Sequence, residues 1–434
     1  MMYVDFPEVK DSDRLARAQE IDASRVRLTG AAAWARVNTP GEPDDARLLM
    51  YDGRPAYSFR LGRERAVVYA DSGEAQRTFS AAQNLRLAAA WSGQPASSAR
   101  VERMAGVDQW TVGGIYREHA PLMKYSFADG QQVYIAAATG EVVQSTTTRS
   151  RVLAYLGPVA HWLYFTPLRK NGQLWSRLVI WLSGAATVVA LLGLYAGLSL
   201  YSAAKRIPFT GTKRLHMILG LFFGFITCTW AFSGMLSMDP FPAESRLDSQ
   251  FPALIAGAPI SMKDFAAKSP GDAMRGMAVK ELDLISVGGR AAYASMGDAG
   301  AKRVIPVLDG GSLATGYNAR RIDRYDAYYL DRTKQLPLPV WLVELNDSVH
   351  SRFYVEASTL QIVGSYSSDQ WSERWLYHGL HSINFPWLYN HRPAWDIVVL
   401  ALMTGGAALS ITSVIIGWSF ISRKVYSVTG ARNR

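Results

Sequence analysis

Seven histidines are the only plausible metal-ligand set in this 434-residue chain. There is a single cysteine, Cys228, and no HExxH pair, phosphate-binding glycine loop or dinucleotide-binding glycine run. Two histidines, His161 and His381, stand 220 residues apart, and each lies 14 residues before a tryptophan, Trp175 or Trp395, that opens a long apolar run. A third, His216, opens another apolar run and is followed by Gly220 and Gly224 on one helical stripe. Small residues at that spacing let a helix or a flat ring approach closely. A b-type haem needs two neutral imidazoles on opposite faces of its iron, and these three histidines are the candidates for that role. His378, three residues before His381 and on the same helical face, is a backup ligand or a supporting group. The plainer reading of His161 and His381 is packing or headgroup contact at an interface, and of His216 a cap at a helix start. His119, His350 and His391 read as surface or sheet residues.

The elements that must position these side chains are three runs without charged residues, 178–204, 215–238 and 397–422. Each exceeds the roughly 20 residues that cross a ~30 Å hydrocarbon core at about 1.5 Å per residue. They predict spanning helices at 175–201, 215–238 and 395–421. Short cytoplasmic loops collect Lys and Arg. Lys205, Arg206, Lys213 and Arg214 occupy the loop 202–214, and Arg423, Lys424, Arg432 and Arg434 occupy the tail 422–434, so both are expected in the cytoplasm. The intervals 5–151 and 239–370 then lie outside as two domains, and the amphipathic segments 152–174 and 371–394 run along the outer membrane face. The net charge of +10 fits this arrangement. Because the basic residues are dispersed or juxtamembrane and accompany no binding motif, they give no reason to expect a nucleic-acid partner. Cys228 falls inside the second run, so no intramolecular disulfide can staple the outer domains. Tryptophans gathered before the spans, such as Trp162, Trp371, Trp375 and Trp387, read as interface anchors.

The chain also repeats itself. Residues 133–180 overlie 353–400 without a gap, pairing Tyr134 with Tyr354, Thr139 with Thr359, Val143 with Val363, His161 with His381, Phe165 with Phe385, Leu168 with Leu388 and Trp175 with Trp395. Asp5-Phe6-Pro7 likewise resembles Pro240-Phe241-Pro242. The expected unit is helix, outer domain, interfacial segment, helix, in tandem pseudo-two-fold duplication. By symmetry the first unit begins with a spanning helix, of which residues 1–4 are the last few. In the first outer domain a helix at 74–91 and strands at 109–116, 123–127 and 132–143, with turns at Asp129-Gly130 and Thr139-Gly140, predict a small antiparallel sheet with a helix on one face. The second has weaker strand signals at 282–287, 303–308 and 352–363. The fold class expected is an α+β membrane protein.

His216 opens a span that ends Ser233-Gly234-Met235-Leu236, and the third span is preceded by Arg374-Trp375-Leu376-Tyr377-His378-Gly379-Leu380-His381. His350-Ser351-Arg352-Phe353-Tyr354-Val355 leads into that region, and the hairpin from Gln132-Val133-Tyr134 to Thr139-Gly140-Glu141-Val142-Val143 is similar to the closing hairpin of a PepSY module. On these residues nearly the whole chain resembles the PepSY-associated transmembrane helix family, some members of which are described as iron-regulated membrane proteins or ferric-siderophore reductases. The resemblance implies a multi-pass protein of the bacterial inner (cytoplasmic) membrane with two periplasmic PepSY-like domains and a cytoplasmic C-terminus. It implies one or two b haems: a cytoplasmic-side group held by His216 and a histidine of the first span, and an outer one held by His161 and His381, with His378 in support. A ferric siderophore or other iron chelate would be the acceptor, bound between the outer domains. The short cytoplasmic segments leave quinol or a partner reductase as donor. PepSY modules also occur as propeptides that inhibit proteases, so the alternative is a non-enzymatic membrane scaffold. It would sense or inhibit an extracytoplasmic partner such as a protease, or assist iron uptake without redox chemistry. A transporter fits less well, because the spans carry no paired charges.

Overall fold

The computed structural model describes residues 4–201, 207–240, 251–252, 261–287, 290–297, 302–307, 318–331 and 335–431, apart from the side chains of residues 302, 306, 318 and 424–431. The basic residues Lys205, Arg206, Arg432 and Arg434, the side chain of Lys424, residues 1–3 and the segment 241–250 that opens the second repeat lie outside the described residues. The chain is a mixed α+β protein that divides into two units. One comprises Met1–Asn171, Leu247–Tyr325 and Asp331–Tyr366; the other comprises Gly172–Arg246, Asp326–Leu330 and Ser367–Arg434.

The first unit contains strands β1 (Asp45–Tyr51), β2 (Arg54–Leu61), β3 (Glu64–Tyr69), β4 (Ala75–Gln76), β5 (Arg100–Arg103), β6 (Leu122–Ser126), β7 (Gln132–Ala136), β8 (Glu141–Thr146), β9 (Glu281–Val287), β10 (Arg290–Met296) and β11 (Lys302–Pro306). It is completed by β12 (Asn318–Ile322), β13 (Val340–Glu344), β14 (Arg352–Glu356) and β15 (Ile362–Tyr366). Its helices include α1 (Asp11–Arg17), α2 (Gly30–Val37), α3 (Ala81–Ser92), α4 (Thr148–Ala154) and α5 (Thr166–Arg169). One antiparallel sheet runs β11-β10-β9-β1-β2-β3-β4. The β1–β2 turn uses Asp52 and Gly53, both at positive φ (50° and 78°), as tight hairpins require. At the centre of the sheet Arg47, Leu48 and Leu49 pair with Asp283, Leu282 and Glu281, so the intervals 5–151 and 239–370 meet in a single sheet. A common core lies on one face, where Leu48, Tyr57 and Phe59 pack with Leu282, Leu284 and Tyr293. On the other face Tyr51, Ala56, Val67 and Tyr69 pack against Leu87 of α3 and against Phe79, which precedes that helix. Strand β2 is therefore covered on both sides, and residues 55–59 are buried in succession.

The remaining strands form two four-stranded antiparallel sheets, β5-β6-β7-β8 and β12-β13-β14-β15. They share strand order, and each has its register shift at the same place, Tyr134/Ile135 in one and Tyr354/Val355 in the other. Helix α3 covers the first of these sheets, with Ala88 against Tyr125, Val133 and Ile135. The run 109–116, expected as a strand, is instead a turn followed by a short 3-10 helix at Gly114–Arg117. The carboxylate of Asp108 accepts from the Trp110 amide at 3.0 Å and the Thr111 hydroxyl at 3.1 Å, and this Asx turn ends extended structure there.

The second unit contains α6 (Gly172–Leu200), α7 (Gly211–Leu236), α8 (Pro386–Tyr389) and α9 (Ala394–Ala431). Three of them, α6, α7 and α9, are long and apolar enough to cross a membrane. Helix α6 buries no side chain within the protein and leaves Trp181 77% and Tyr195 73% exposed, an apolar surface of the kind a bilayer covers. Helix α7 packs against both others. A Cβ at Gly224 would come within 2.8 Å of Leu194 on α6, and one at Gly405 on α9 would meet the ring of Phe223. Ahead of α8 the chain forms a π-helical stretch, Ser372–Gly379, and turns at Ile383, whose φ is 55°. In the first unit α4 likewise runs into a π-helical turn, Tyr155–Val159, and the chain turns at Leu163 (φ 54°) before α5.

Candidate functional site

Helix α7 organises the histidines of the second unit. At its N-terminal end His216 places Nδ1 2.9 Å from Oγ1 of Thr412 on α9. At its C-terminal end Ser233 places Oγ 3.0 Å from Nδ1 of His381. Both hydroxyls have already spent their proton. Thr412 donates to the Leu409 carbonyl at 2.8 Å and Ser233 to the Thr229 carbonyl at 2.7 Å, the ordinary back-bond of a hydroxyl within a helix. Each oxygen is then placed to accept from a proton on Nδ1. This is the arrangement by which a partner atom fixes the tautomer and orientation of an imidazole ligand. From residue 216 to residue 233 a helix advances about 26 Å, so the two hydroxyl–imidazole pairs lie near opposite ends of one apolar helix.

Several groups hold His381 in place. Its ring centroid lies 5.3 Å from that of Tyr377, and its Cε1 packs at van der Waals distance from the Gly234 side of α7. Arg374, 7% exposed, donates from Nη2 to the Asn384 carbonyl at 3.0 Å and from Nε to the Ala327 carbonyl, while its guanidinium lies 4.4 Å from the Trp375 ring centre. Trp395 Nε1 donates to the Ile383 carbonyl at 3.0 Å. These bonds fix the left-handed turn at Ile383, which costs a β-branched residue about 1–3 kcal/mol and persists only where its surroundings impose it. His378 lies one turn earlier, its ring 4.9 Å from Tyr377.

His216 borders a cavity of about 570 Å³. Gly193 and Gly197 of α6, Gly220 of α7 and Lys213 are part of its lining. The donor chemistry fits a haem ligand: an imidazole held at Nδ1 by Thr412, an apolar slot with glycines in its lining, and a lysine able to meet an acidic substituent. Among the described residues no three His, Cys, Asp or Glu side chains converge as a metal-ligand cluster, so a site built on three or more such ligands has no set to draw on there.

His161 belongs to the first unit and follows the π-helical turn Tyr155–Val159. Gln109 anchors this segment, accepting from the Thr166 amide at 3.2 Å and hydroxyl at 2.9 Å and donating to the Tyr164 carbonyl. His161 and His378 each keep an exposed edge, yet crowding by surrounding protein holds both below the usual histidine value and favours the neutral, ligating form. Thr412, Ser233, Arg374 and Gln109 were not anticipated as parts of the site. Hydroxyl residues in a charge-free helix are a weak signal, because most do no more than back-bond. Comparison with protein-family models, with curated proteins and with solved structures found no match to this chain.

Proposed function

We propose that this chain is a haem-holding membrane oxidoreductase of the PepSY-associated transmembrane helix type, passing electrons across the inner membrane to an extracytoplasmic ferric chelate such as a siderophore. The observation that carries the reading is the pair of imidazoles at opposite ends of α7, each with Nδ1 held by a helix hydroxyl whose own proton is spent on backbone. A metal-ligating histidine almost always has its second ring nitrogen held by a fixed partner, and this device occurs at both ends of the helix.

In this reading His216 holds one haem on the cytoplasmic side, and His381 and His161 hold another on the outer side. Bound haem supplies one-electron redox chemistry within a low-dielectric span. Thr412 and Ser233 keep the ring protons on Nδ1. The glycine walls beside His216 admit a flat group and exclude water. Arg374 and Trp395 fix the turn after His381, so that the imidazole does not reorient as charge passes. Each quinol oxidised to quinone gives two electrons and two protons, enough to reduce two ferric chelates; ferrous iron is held less tightly by oxygen donors and is released. Duplication of one unit is supported by the matching strand order and bulges of the two four-stranded sheets, and by the left-handed turns at Leu163 and Ile383, 220 residues apart.

The test is haem content. The protein purified from haem-replete cells should carry a Soret band, and His216→Ala and His381→Ala should each lower the haem-to-protein ratio. Wild-type haem content in both variants would remove these residues from the reading.

A further inference from the structure

Helix α5 ends at Arg169, and Lys170 follows it two residues before α6 begins. Arg117, in the 3-10 turn ahead of β6, donates from Nη2 to the Lys170 carbonyl at 3.2 Å, which brings a second cation to the same corner of the first unit. Arg117 and Lys170 are both exposed, and among the described residues no carboxylate forms an ion pair with either, Glu118 beside Arg117 included. Arg169, partly buried, sets its guanidinium 5.0 Å from the Tyr164 ring centre. The adjoining segment is apolar on its outside: Val152, Tyr155, Leu156 and Phe165 are all exposed, Leu156 to 78%. An aromatic cluster ties it together, with ring centres of Trp110 and Tyr155 at 5.4 Å, Trp110 and Phe6 at 5.9 Å, and Phe6 and Tyr164 at 5.8 Å. Exposed apolar side chains beside cations, at the start of a helix apolar enough to span, suit a surface that lies in a headgroup layer. The basic pair is also peculiar to one copy of the repeat. At the offset of 220, Arg169 and Lys170 fall on Tyr389 and Asn390 at the end of α8, and Arg392 of that copy is spent on Asp396. A packing role common to both copies therefore does not account for the charge.

We propose that this corner of the first unit holds the headgroup of an anionic phospholipid, with Arg117 and Lys170 meeting its phosphate and Leu156 and Phe165 resting in the apolar layer. Arg117 commits only Nη2 to protein, so Nε and Nη1 are open to a ligand. A guanidinium offers a phosphate several donors in one plane, and an ammonium adds a compact charge. The site rests on α6 crossing a bilayer and does not depend on the haem reading.

The test follows thermal unfolding of the full-length protein in a neutral detergent as phosphatidylglycerol, phosphatidylcholine or sodium phosphate is titrated. Phosphatidylglycerol should raise the unfolding temperature saturably, and the other two should not. Lys170→Gln should need about five-fold more phosphatidylglycerol for the same shift, and the double variant Arg117→Gln, Lys170→Gln roughly thirty-fold more. Lys170→Gln removes an exposed ammonium and no bond to protein, so it should unfold at the wild-type temperature without lipid. Arg117→Lys, which keeps the charge and gives up the bond to the Lys170 carbonyl, should titrate near wild type and so separates charge from a structural bond. Arg63→Gln, an equal loss of charge at the exposed β2–β3 turn, is the control and should also titrate as wild type. An equal shift with phosphatidylcholine, or with free phosphate, would overturn the site. So would unchanged titrations in Lys170→Gln and the double variant, or equal weakening in Arg63→Gln, which would reduce the response to net charge.

Discussion

Thr412→Val is the sharpest test of the hydroxyl–imidazole device. Valine keeps the branched shape of threonine at a position 5% exposed and deletes only the oxygen that accepts from His216 Nδ1. The backbone loses little, since the Ala408 and Leu409 carbonyls to which Thr412 back-bonds remain within a continuous helix. A neutral hydrogen bond of this kind contributes about 1 kcal/mol to stability. Removing the partner that orients an imidazole ligand costs roughly 10–100-fold in metal affinity, which is about 1.4–2.8 kcal/mol. Haem titration of the apoprotein, followed at the Soret band, should therefore give a midpoint at least one decade weaker in Thr412→Val. Thr412→Ser, which keeps the hydroxyl, should stay near wild type, and redox potentiometry should separate the two variants in the same order. Equal haem affinity and equal potential in all three proteins would refute the argument that Thr412 positions a ligand.

Ser233→Ala should weaken haem retention by a comparable factor of roughly 10–100 through His381, measured as haem per protein after gel filtration. Gly405→Ala should destabilise α7–α9 packing, because the added methyl would overlap the Phe223 ring. The expected cost is about 1–3 kcal/mol, typical of overpacking, and it would appear as a lower unfolding temperature in detergent with haem absorbance per folded protein unchanged. Asp71 accepts from Arg54 at 2.6 Å and from Arg25 at 3.2 Å, and the bond from Arg54 foremost holds its carboxyl below the ordinary 3.8. The unfolded chain therefore binds the proton more readily, and the pair's contribution is complete above about pH 4 and fades as pH falls below it. Acid unfolding of Asp71→Asn should be less steep than wild type in that range, and equal slopes would show that the pair contributes nothing.

Local chemistry made some of this architecture readable and left the rest hidden. Charge-free runs sufficed for α6, α7 and α9, because the length of apolar sequence is itself the signal. The hairpin of β7 and β8 was legible from alternation around Thr139 and Gly140, the latter at φ 63°. Strands β1 to β3 carry readable signals, the Asp52-Gly53 turn and the alternation Tyr57-Ser58-Phe59-Arg60-Leu61, but Pro55 and the arginines Arg54, Arg60 and Arg65 blur the strand bounds in the sequence. The pairing of β1 with β9 joins residues more than 230 apart, as the bond from Arg47 to Glu281 illustrates, and no periodicity encodes a partner at that distance. Within the site, the candidate imidazoles could be read from composition and repeat spacing. Their supports could not, since Ser233 meets His381 across 148 residues and Thr412 meets His216 across 196. A π-helical stretch such as Ser372–Gly379, which sets the path of the chain just ahead of His381, leaves no local pattern to read.

The most direct measurement is the visible spectrum of the purified, detergent-solubilised protein, expressed with haem supplied, before and after dithionite. The account predicts a Soret band and, on reduction, the α-band of bis-imidazole b haem, diminished by His381→Ala and by His161→Ala. A folded protein that carries no haem under these conditions, and takes up none when titrated with it, would contradict the central claim and favour a scaffold without redox chemistry.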